Sequence, residues 1–306
     1  MASLSHITPT ALTEHISSVT FAHYAGGHAE APQISRYGAF VGSAITLYSS
    51  LERAMDKARQ LISTCEEEHK PVLNGAVILA ETLVCSKGRF QRSWHAPPGG
   101  VWGCLVLADI FLPIFRNFIP LIPGIACCEA LHAMKLTTAR IRWVNDVLAE
   151  NKKLAGFLIE TFSSPVHKEQ FHLLGFGINI NNTTFPKELV GEAVSLRQLL
   201  GGEVDINKFA LSFLASMRWY IGLLLFEEVR WLTSGGGEEY KAEHPILTRW
   251  KELSDTVGKR VRFGYDVLLQ PQYEAFVESI SHDGGLVLRH DDGTGSREYS
   301  GEIRYL

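Results

Sequence analysis

Four segments of the sequence are apolar over the length of a β-strand, and they constrain the fold more than any other feature. They are AVILAE at 76–81, VWGCLVL at 101–107, KKLAGFLIE at 152–160 and FHLLGFGINI at 171–180. Apolar runs of this length are typical of strands that are buried on both faces. The sequence therefore predicts a buried sheet within the first two thirds of the chain.

Other stretches have the spacing of helices. Apolar residues recur every three or four positions from Leu51 to Cys65, and Ser50 is a candidate N-cap for that helix. A further helix follows Pro123, and a long one is predicted to begin at Asp205. The core-facing stripe of the long helix is Phe209, Phe213, Met217, Tyr220 and Leu224.

The predicted secondary structure changes after the glycine-rich residues 234–237, from long helices to short strands. After Trp250 the apolar runs are short and the turns are frequent. EAFVESI at 274–280 and LVLRHD at 286–291 are separated by a loop that contains Asp-Gly, which is a hairpin signal. The tail therefore predicts a small all-β barrel of about 50 residues.

Composition excludes several classes of protein. The 29 basic and 33 acidic side chains give a net charge of −4, which does not favour nucleic-acid binding. Residues 1–35 contain no Lys or Arg and no apolar signal segment, so we expect a cytoplasmic protein. The apolar tract at 101–128 is interrupted by charges and prolines and predicts core, not a membrane span. The five cysteines have no C-x-x-C spacing, and His23, His28 and His95 have no ligand spacing, so no metal site is predicted.

Residues 86–94, SKGRFQRSW, form a cationic loop between two buried strands. Lys87, Arg89 and Arg92 surround the backbone N–H of Gly88, a combination that suits an anion. Trp94 ends the loop and has a face on which a nucleobase can stack. On composition alone, a solvated surface loop is the stronger interpretation of the segment.

Lys153 stands at the start of an apolar strand, three residues before Gly156. A lysine there must reach solvent or meet a negative partner, because burying an unpaired charge is costly. A glycine inside a strand often marks the close approach of a ligand or of another backbone. Both interpretations of Lys153 stay open at this point.

Five segments resemble the biotin–protein ligase family, in the order that the family has them. RWVNDVLAENKKLAGFLIE at 142–160 is similar to the K-W-P-N-D and K-L-A-G-I-L-x-E signature. AETLVCSKGRFQRSW at 80–94 is similar to the ligand loop A-E-x-Q-T-x-G-R-G-R-x-G-R-x-W. GFGININ at 175–181 and AVSLRQLLG at 193–201 resemble the two motifs that follow. The tail from Trp250 to the final GEIRYL resembles the family's C-terminal SH3-like domain.

The resemblance implies an α+β fold of the class II aminoacyl-tRNA synthetase and biotin-ligase kind, with a mixed sheet, helices and a C-terminal SH3-like β-barrel. It implies a catalytic domain over residues 36–247 and an SH3-like domain over 248–306. Residues 1–35 are small and polar without sustained periodicity, which predicts a poorly structured extension. The first 40 residues are too short and too irregular for a helix-turn-helix domain, so we expect no DNA-binding domain.

The family's chemistry implies a role for each matched residue. Biotin and ATP react to form biotinyl-5′-AMP, and a lysine in the carrier domain of a carboxylase accepts the biotin. Lys153 and Arg89 are the implied catalytic residues. Biotin or its adenylate would contact Ser50, Lys87, Gly88, Arg89, Trp94 and Gly156. ATP and its Mg²⁺ would contact Asn145, Asp146 and Asn179, and no dedicated protein site for the metal is predicted.

The sequence departs from the family where the ring of biotin should bind. The family's S-T-N reads Ser50, Leu51 and Glu52 here, and its glutamine before the loop is Leu83. Losing groups that hydrogen-bond a polar ring should weaken recognition by orders of magnitude. The cationic loop also has Ser86 and Gln91 where the family has glycines, and the milder changes are Arg142 for Lys and Val144 for Pro.

Two alternatives follow from these departures. One is a ligase or transferase for lipoate or octanoate, although no R-R-x-x-G-G-G-A-V stretch is present. The other is a non-catalytic relative that binds a nucleotide or a carrier domain. We expect no nucleic-acid or membrane partner, and a homodimer is possible through strand edges.

Overall fold

The structure is a computed structural model, and it describes residues 3–20, 29–235 and 243–306. Within these residues the larger sheet has seven strands: β1 (Ile45–Tyr48), β2 (Val77–Ala80), β3 (Val101–Ala108), β4 (Arg140–Arg142), β5 (Asp146–Ala149), β6 (Lys152–Ser163) and β7 (Gln170–Ile178). Their spatial order is β1-β2-β3-β7-β6-β5-β4. The pair β1–β2 is parallel and the other neighbours are antiparallel, so the sheet is mixed as expected.

The four apolar segments form β2, β3, β6 and β7 and so confirm the predicted strands. β7 lies at the centre of the sheet, between β3 and β6, and all but its first residue is buried. Because β6 and β7 are adjacent, Lys153 and the glycines Gly156, Gly175 and Gly177 come onto one face of the sheet. That arrangement positions the site described below.

Helices cover the sheet. They are α1 (Pro9–His15), α2 (Ala31–Tyr37), α3 (Ala54–Glu67), α4 (Pro113–Arg116), α5 (Ile122–Ala133), α6 (Leu196–Leu200), α7 (Ile206–Thr233) and α8 (Pro245–Leu253). A π-helical turn continues α1 over Ile16–Thr20, and single 3₁₀ turns lie at Arg89–Gln91, Ile119–Leu121 and Lys187–Leu189.

The long helix α7 confirms the predicted start and stripe. Asp205 is its N-cap and accepts a hydrogen bond from the backbone N–H of Lys208. The five stripe residues are all buried. The apolar windows of Pro113–Ala133 and Ile206–Thr233 are long enough to cross a membrane, but 78% of each is buried inside the fold, as in a core helix of a soluble protein.

The helix predicted from Leu51 is wrong at its start. α3 begins at Ala54 with Arg53 as N-cap, and no side chain caps it, so Ser50 does not. The reason is that Leu51 stays extended: its N–H donates to Thr82 O, and its carbonyl accepts from Val84 N. Backbone pairing with the chain after β2 therefore delays the helix by one turn.

The expected looseness of residues 1–35 is also wrong for the part that the structure describes. Leu4, Leu12 and Ile34 are fully or almost fully buried in the main core. Glu81 accepts hydrogen bonds from Ser3 Oγ at 2.7 Å and from Leu4 N at 2.9 Å. Short apolar patterns separated by polar residues gave too weak a signal in sequence. His23 and His28 lie outside the described residues, as does the glycine-rich segment beyond Gly235.

The tail forms a second, five-stranded antiparallel sheet that is consistent with an SH3-like domain. Its strands are β8 (Arg260–Gly264), β9 (Tyr273–Ile280), β10 (Leu286–Arg289), β11 (Gly295–Glu298) and β12 (Glu302–Tyr305), in the order β11-β10-β9-β8-β12. The β9–β10 pair confirms the predicted hairpin. The domain boundary at residue 247 stays a prediction.

Candidate active site

A cavity of about 340 Å³ opens over the face formed by β3, β6 and β7. The start of α3, the cationic loop, the chain at 185–193 and two segments of the C-terminal sheet complete its walls. Nine of the ten predicted site residues line it: Lys87, Gly88, Arg89, Trp94, Asn145, Asp146, Lys153, Gly156 and Asn179. Residues spread over 93 positions of the chain therefore meet in one place, as the resemblance implies.

Ser50 is the exception. Its side chain is exposed and is not part of the cavity lining. The backbone pairing of Leu51 holds this stretch beside the chain after β2, outside the cavity. His95, expected to face solvent, is half-buried on the cavity wall, and its Nε2 lies 3.2 Å from Thr184 O.

The floor of the cavity is made of glycines. Gly156 of β6 and Gly177 of β7 are partners in the sheet register, and the indole ring of Trp94 lies on them. A Cβ atom on Gly177 would stand 2.5 Å from Trp94 Nε1, and one on Gly156 would stand 3.0 Å from the same ring. The close approach anticipated at Gly156 is thus made by a tryptophan of this chain. Trp94 Nε1 is buried and has no hydrogen-bond partner among the described residues.

Lys153 has a carboxylate partner inside the protein. Its Nζ lies 2.7 Å from Asp146 Oδ1 and 5.2 Å from the centre of the Trp94 ring. Arg142 Nη2 lies 2.6 Å from Asp146 Oδ2. The register of β4, β5 and β6 places these three side chains together, because Asp146 pairs with Arg142 on one side and with Gly156 on the other.

The two cations outnumber the single carboxylate. Burial alone would raise the pKa of Asp146, but Lys153 and Arg142 outweigh it and lower the pKa from 3.8 to about 2. Asp146 is therefore ionised, and the three groups together carry one net positive charge. That charge faces the cavity and favours an anionic reactant.

Two amides border this cationic group. Asn145 is buried, and its Nδ2 donates to Phe157 O of β6, which fixes the turn between β4 and β5. Asn179, also buried, follows β7, and its Oδ1 accepts from Asn182 Nδ2 at 2.9 Å. Both carbonyl oxygens retain a lone pair for a further contact.

The cationic loop is fastened to the C-terminal sheet. Arg89 Nη1 donates to Gly301 O at 2.6 Å, and burial lowers the pKa of its guanidinium, against the opposing effects of Glu302 and Asp146. Arg92 forms ion pairs with Asp266 and, at 2.9 Å, with Glu302. These contacts join the loop to the C-terminal region across the mouth of the cavity, and no sequence motif predicted them.

Sequence reasoning also missed Arg53. It precedes α3, lines the cavity, and its side chain is only 18% exposed. Its position directly after Leu51 and Glu52, where the family's ring-binding residues are missing, was the available signal.

Comparison with known proteins gives a family and a fold. Residues 63–179 match the model of the "Biotin/lipoate A/B protein ligase family". The chain is 31% identical over 242 residues to a "Biotin--[acetyl-CoA-carboxylase] ligase" of Paracoccus denitrificans, covering 73% of this chain and 88% of that one. It is 24% identical over 227 residues to the "Bifunctional ligase/repressor BirA" of Escherichia coli, covering 71% of this chain and 63% of that one.

A solved structure shares the fold. The biotin protein ligase from Aquifex aeolicus, in complex with biotin and ATP, superposes with a TM-score of 0.64 at 19% identity, covering 86% of this chain and 99% of that one. The ligase from Leishmania major gives a TM-score of 0.53 at 18% identity, covering 83% of this chain and 98% of that one. These similarities establish the mixed sheet with its β-tail.

The fold and the site define a protein of the biotin and lipoate ligase class. Within that class, the extent of the Paracoccus match shows that the chain belongs to the biotin–protein ligase family. The matched region covers 41% of the Bacillus spizizenii ligase/repressor and 63% of the Escherichia coli one, so the chain spans less than two thirds of those relatives.

Proposed function

We propose that the chain is an ATP-dependent biotin–protein ligase. The observation that carries the proposal is the net positive group of Arg142, Asp146 and Lys153 beside a glycine floor in a single cavity. In the first step a carboxylate oxygen of biotin attacks the α-phosphorus of ATP, pyrophosphate leaves, and biotinyl-5′-AMP stays bound. In the second step a lysine amine of the carrier attacks the acyl carbon, loses its proton, and AMP leaves.

Lys153 is the catalytic cation of this proposal. Negative charge grows on the non-bridging oxygens of the α-phosphate as the carboxylate attacks, and a fixed ammonium stabilises it. Asp146 holds the ammonium in position, while Arg142 offsets the carboxylate charge so that Lys153 keeps its attraction for phosphate. Arg89 uses one of its five N–H donors on Gly301 among the described residues, which leaves others for the adenylate.

The remaining predicted residues complete the proposed site. Gly88 and Lys87 supply the backbone of a ligand-cradling loop, and Trp94 supplies a face for adenine. Asn145 and Asn179 would donate amide N–H groups to the phosphates, and their amide oxygens would be available to the Mg²⁺ that accompanies ATP. Asp146 is already paired, and among the described residues no three His, Cys, Asp or Glu side chains are grouped to hold a metal ion. The proposal therefore has Mg²⁺ enter with the nucleotide.

The partner in this proposal is the carrier domain of a carboxylase, in the cytoplasm. The names of the relatives support a carboxylase carrier. A homodimer through a sheet edge remains a prediction. β1 is the edge that a second copy would pair with, because the outer edge of β4 is bridged to Ser254.

The test is ATP–pyrophosphate exchange that depends on biotin. We expect exchange by the wild-type protein and a loss of about 100-fold or more in Lys153→Met, since one electrostatic donor to a transition state is worth that much. Lys152→Met is the matched control, because Lys152 is the neighbouring lysine and does not line the cavity. Exchange that survives Lys153→Met would refute the assigned role.

The substrate dependence of the same assay separates the alternatives. Exchange with octanoate or lipoate and none with biotin would identify a related acyl ligase. ATP binding without exchange for any of the three acids would identify a non-catalytic relative.

A further inference from the structure

The sheet face continues inward from the glycine floor to a second group of charges. Side chains alternate along a strand, so Gly156, Leu158 and Glu160 of β6 share one face. Gly177, Gly175 and Leu173 of β7 are their register partners. From Gly156 to Glu160 the path is about 13 Å at 3.3 Å per residue. Trp94 and Met55 cover the glycines along this path, so an acyl chain that spans it would lie over these two side chains.

The walls of this inner end are apolar. Met55 of α3 lies over Gly175, where a Cβ atom would stand 2.8 Å from its Sδ. Leu83 and Leu158 line the same end of the cavity. Two of the three missing family residues are leucines here, Leu51 and Leu83, and the third, Glu52, is exposed and does not line the cavity. A polar ring at this end therefore needs a hydrogen-bonding group from elsewhere.

Arg53 is a polar group on the wall of this inner end. It belongs to a cluster of two arginines and two carboxylates at the start of α3. Arg59 takes the short contacts: its Nη1 lies 2.5 Å from Asp56 Oδ1, and its Nη2 is paired with Glu160. Arg53 is left with long ones, 3.5 Å to Asp56 Oδ1 and 3.9 Å to Glu160 Oε1.

The charges of this cluster cancel, but Arg53 still has N–H donors that are not used within the cluster. Two positive and two negative groups leave no excess charge, so the cluster does not attract an anion as the Lys153 group does. A guanidinium has five N–H donors, and among the described residues Arg53 uses one, in a hydrogen bond at the 3.5 Å limit. The Arg53 side chain is about four-fifths buried, and most of its N–H groups have no acceptor among the described residues. Because the charge of the cluster is balanced, a neutral acceptor such as a carbonyl oxygen suits these donors.

We propose that Arg53 determines acyl specificity by donating hydrogen bonds to the carbonyl oxygen of a cyclic urea at the inner end of the cavity. This inference rests on the proposed ligase function and deepens it. The cation takes over the role of the hydroxyl and amide groups that Leu51, Glu52 and Leu83 cannot supply. The two ends of the cavity then select for different chemistry: charge at Lys153, and a neutral acceptor at Arg53.

The experiment compares Arg53→Gln with Arg59→Gln in biotin-dependent pyrophosphate exchange. Both variants remove one arginine from the same cluster, but only Arg53 lines the cavity. We expect Arg53→Gln to raise the KM for biotin about tenfold or more, equivalent to about 1.4 kcal/mol, with kcat nearly unchanged. Arg59→Gln should leave the KM within about threefold of wild type, the spread of an ordinary surface change. Arg53→Lys should restore part of the affinity, because it keeps a donor but loses the fork geometry.

The outcomes separate this inference from the ligase proposal. Equal KM changes in the two Gln variants, or none in Arg53→Gln, would overturn the role of Arg53 while wild-type exchange upholds the ligase. Thermal unfolding and calorimetric titration of Mg-ATP identify a variant that has merely lost its fold, and the Arg53→Lys variant then carries the test. Octanoate has no urea, so its weaker binding should not respond to Arg53→Gln. An equal loss for octanoate would contradict the inference.

Discussion

Lys153 has a charged partner within the protein itself. The sequence left open whether its ammonium reaches solvent or meets a negative group. The structure adds Asp146 at 2.7 Å, so the ammonium can stay at the head of an apolar strand in the absence of substrate. Arg142 pairs with the same carboxylate and contributes a second positive charge. The group therefore stays net positive, and Lys153 can still attract an anionic ligand.

The low pKa of Asp146 predicts a pH dependence of stability. Its pKa is 3.8 ordinarily and about 2 in the folded protein, so ionised Asp146 contributes stability that is fully present above pH 5 and is lost as the pH falls toward 2. The free energy of unfolding should drop by roughly 1 kcal/mol between pH 5 and pH 3 from this group alone. Urea unfolding of wild type and Asp146→Asn across that range measures it.

The same comparison contains its control. Asp146→Asn should be less stable than wild type at pH 6, and the gap between the two proteins should narrow as the pH falls. A gap that stays constant down to pH 3 would mean that Asp146 is not held ionised by its neighbours.

A side chain at position 177 should displace Trp94 from the floor of the site and weaken ligand binding. Gly177→Ala would place a Cβ atom 2.5 Å from the Trp94 ring, which must then move into the cavity. We expect biotin affinity to fall about tenfold or more, a loss of about 1.4 kcal/mol, measured by calorimetry. Gly202→Ala is the control, because no atom lies within 4 Å of its added Cβ. Unchanged biotin binding in Gly177→Ala would show that ligands do not use this floor.

At the residue scale, the sequence predicted best those site residues that belong to a sequence motif. Nine of ten predicted residues line the cavity because Lys153, Gly156 and their neighbours occupy fixed positions along strands. Ser50 lies outside the cavity because the backbone of the next residue, Leu51, pairs with Thr82. No local sequence pattern predicts that pairing. Arg53 was missed for a related reason, since only the late start of α3 brings it to the cavity wall.

At the scale of elements, the cationic loop is held by the C-terminal sheet. Arg92 is the main link, because it pairs with Asp266 in the loop after β8 and with Glu302 at the start of β12. Phe90 and Gln91 of the loop have φ angles of 56° and 60°, a left-handed conformation that costs a non-glycine residue about 1–2 kcal/mol. Contacts such as those of Arg92 offset that cost.

Removing this link should loosen the loop without unfolding the protein. We expect Arg92→Gln to speed amide hydrogen exchange at residues 86–93 and to increase the hydrolysis of enzyme-bound adenylate, since water gains access to the anhydride. Hydrogen-exchange mass spectrometry measures the first effect. Arg262→Gln is the control, because its pairing with Glu274 lies on the exposed side of the same sheet. Identical exchange in the two variants would rule out the fastening role.

The strands were predictable and the links between sheets were not. β2 and β3 are apolar over their whole length, and β7 is buried at every residue but the first, so burial fixes these strands irrespective of their neighbours. β6 is polar at both ends, and its apolar centre, residues 154–159, made it predictable. The contacts of Arg92 join residues 174 and 210 positions apart, and a single sequence holds no record of such distances.

At the scale of the whole molecule, the N-terminal residues belong to the core. α1 and α2 pack on α7, and His15 Nε2 lies 3.1 Å from Ser212 Oγ. Gly222 of α7 allows α2 to approach closely, since a Cβ atom there would stand 2.3 Å from Ile34 O. The first helices are therefore part of the layer that covers the sheet.

This placement predicts a large cost for a core substitution near the N-terminus. Leu12→Ala should lower the free energy of unfolding by about 3 kcal/mol, because Leu12 is fully buried in the main core. Leu73→Ala, at a leucine that is 55% exposed, should change it by less than about 0.5 kcal/mol. Denaturant unfolding measures both. If both substitutions changed the free energy of unfolding by the same small amount, residues 3–20 would be a loose extension and not part of the core.

Calorimetric titration with biotin, first alone and then in the presence of Mg-ATP, tests the central claim most directly. The claim is that one cavity joins an adenylating end at Lys153 to an acyl end that still recognises biotin. Micromolar or tighter binding of biotin, strengthened by Mg-ATP and followed by release of pyrophosphate, is the predicted result. Binding of Mg-ATP with no heat from biotin under either condition would contradict the claim.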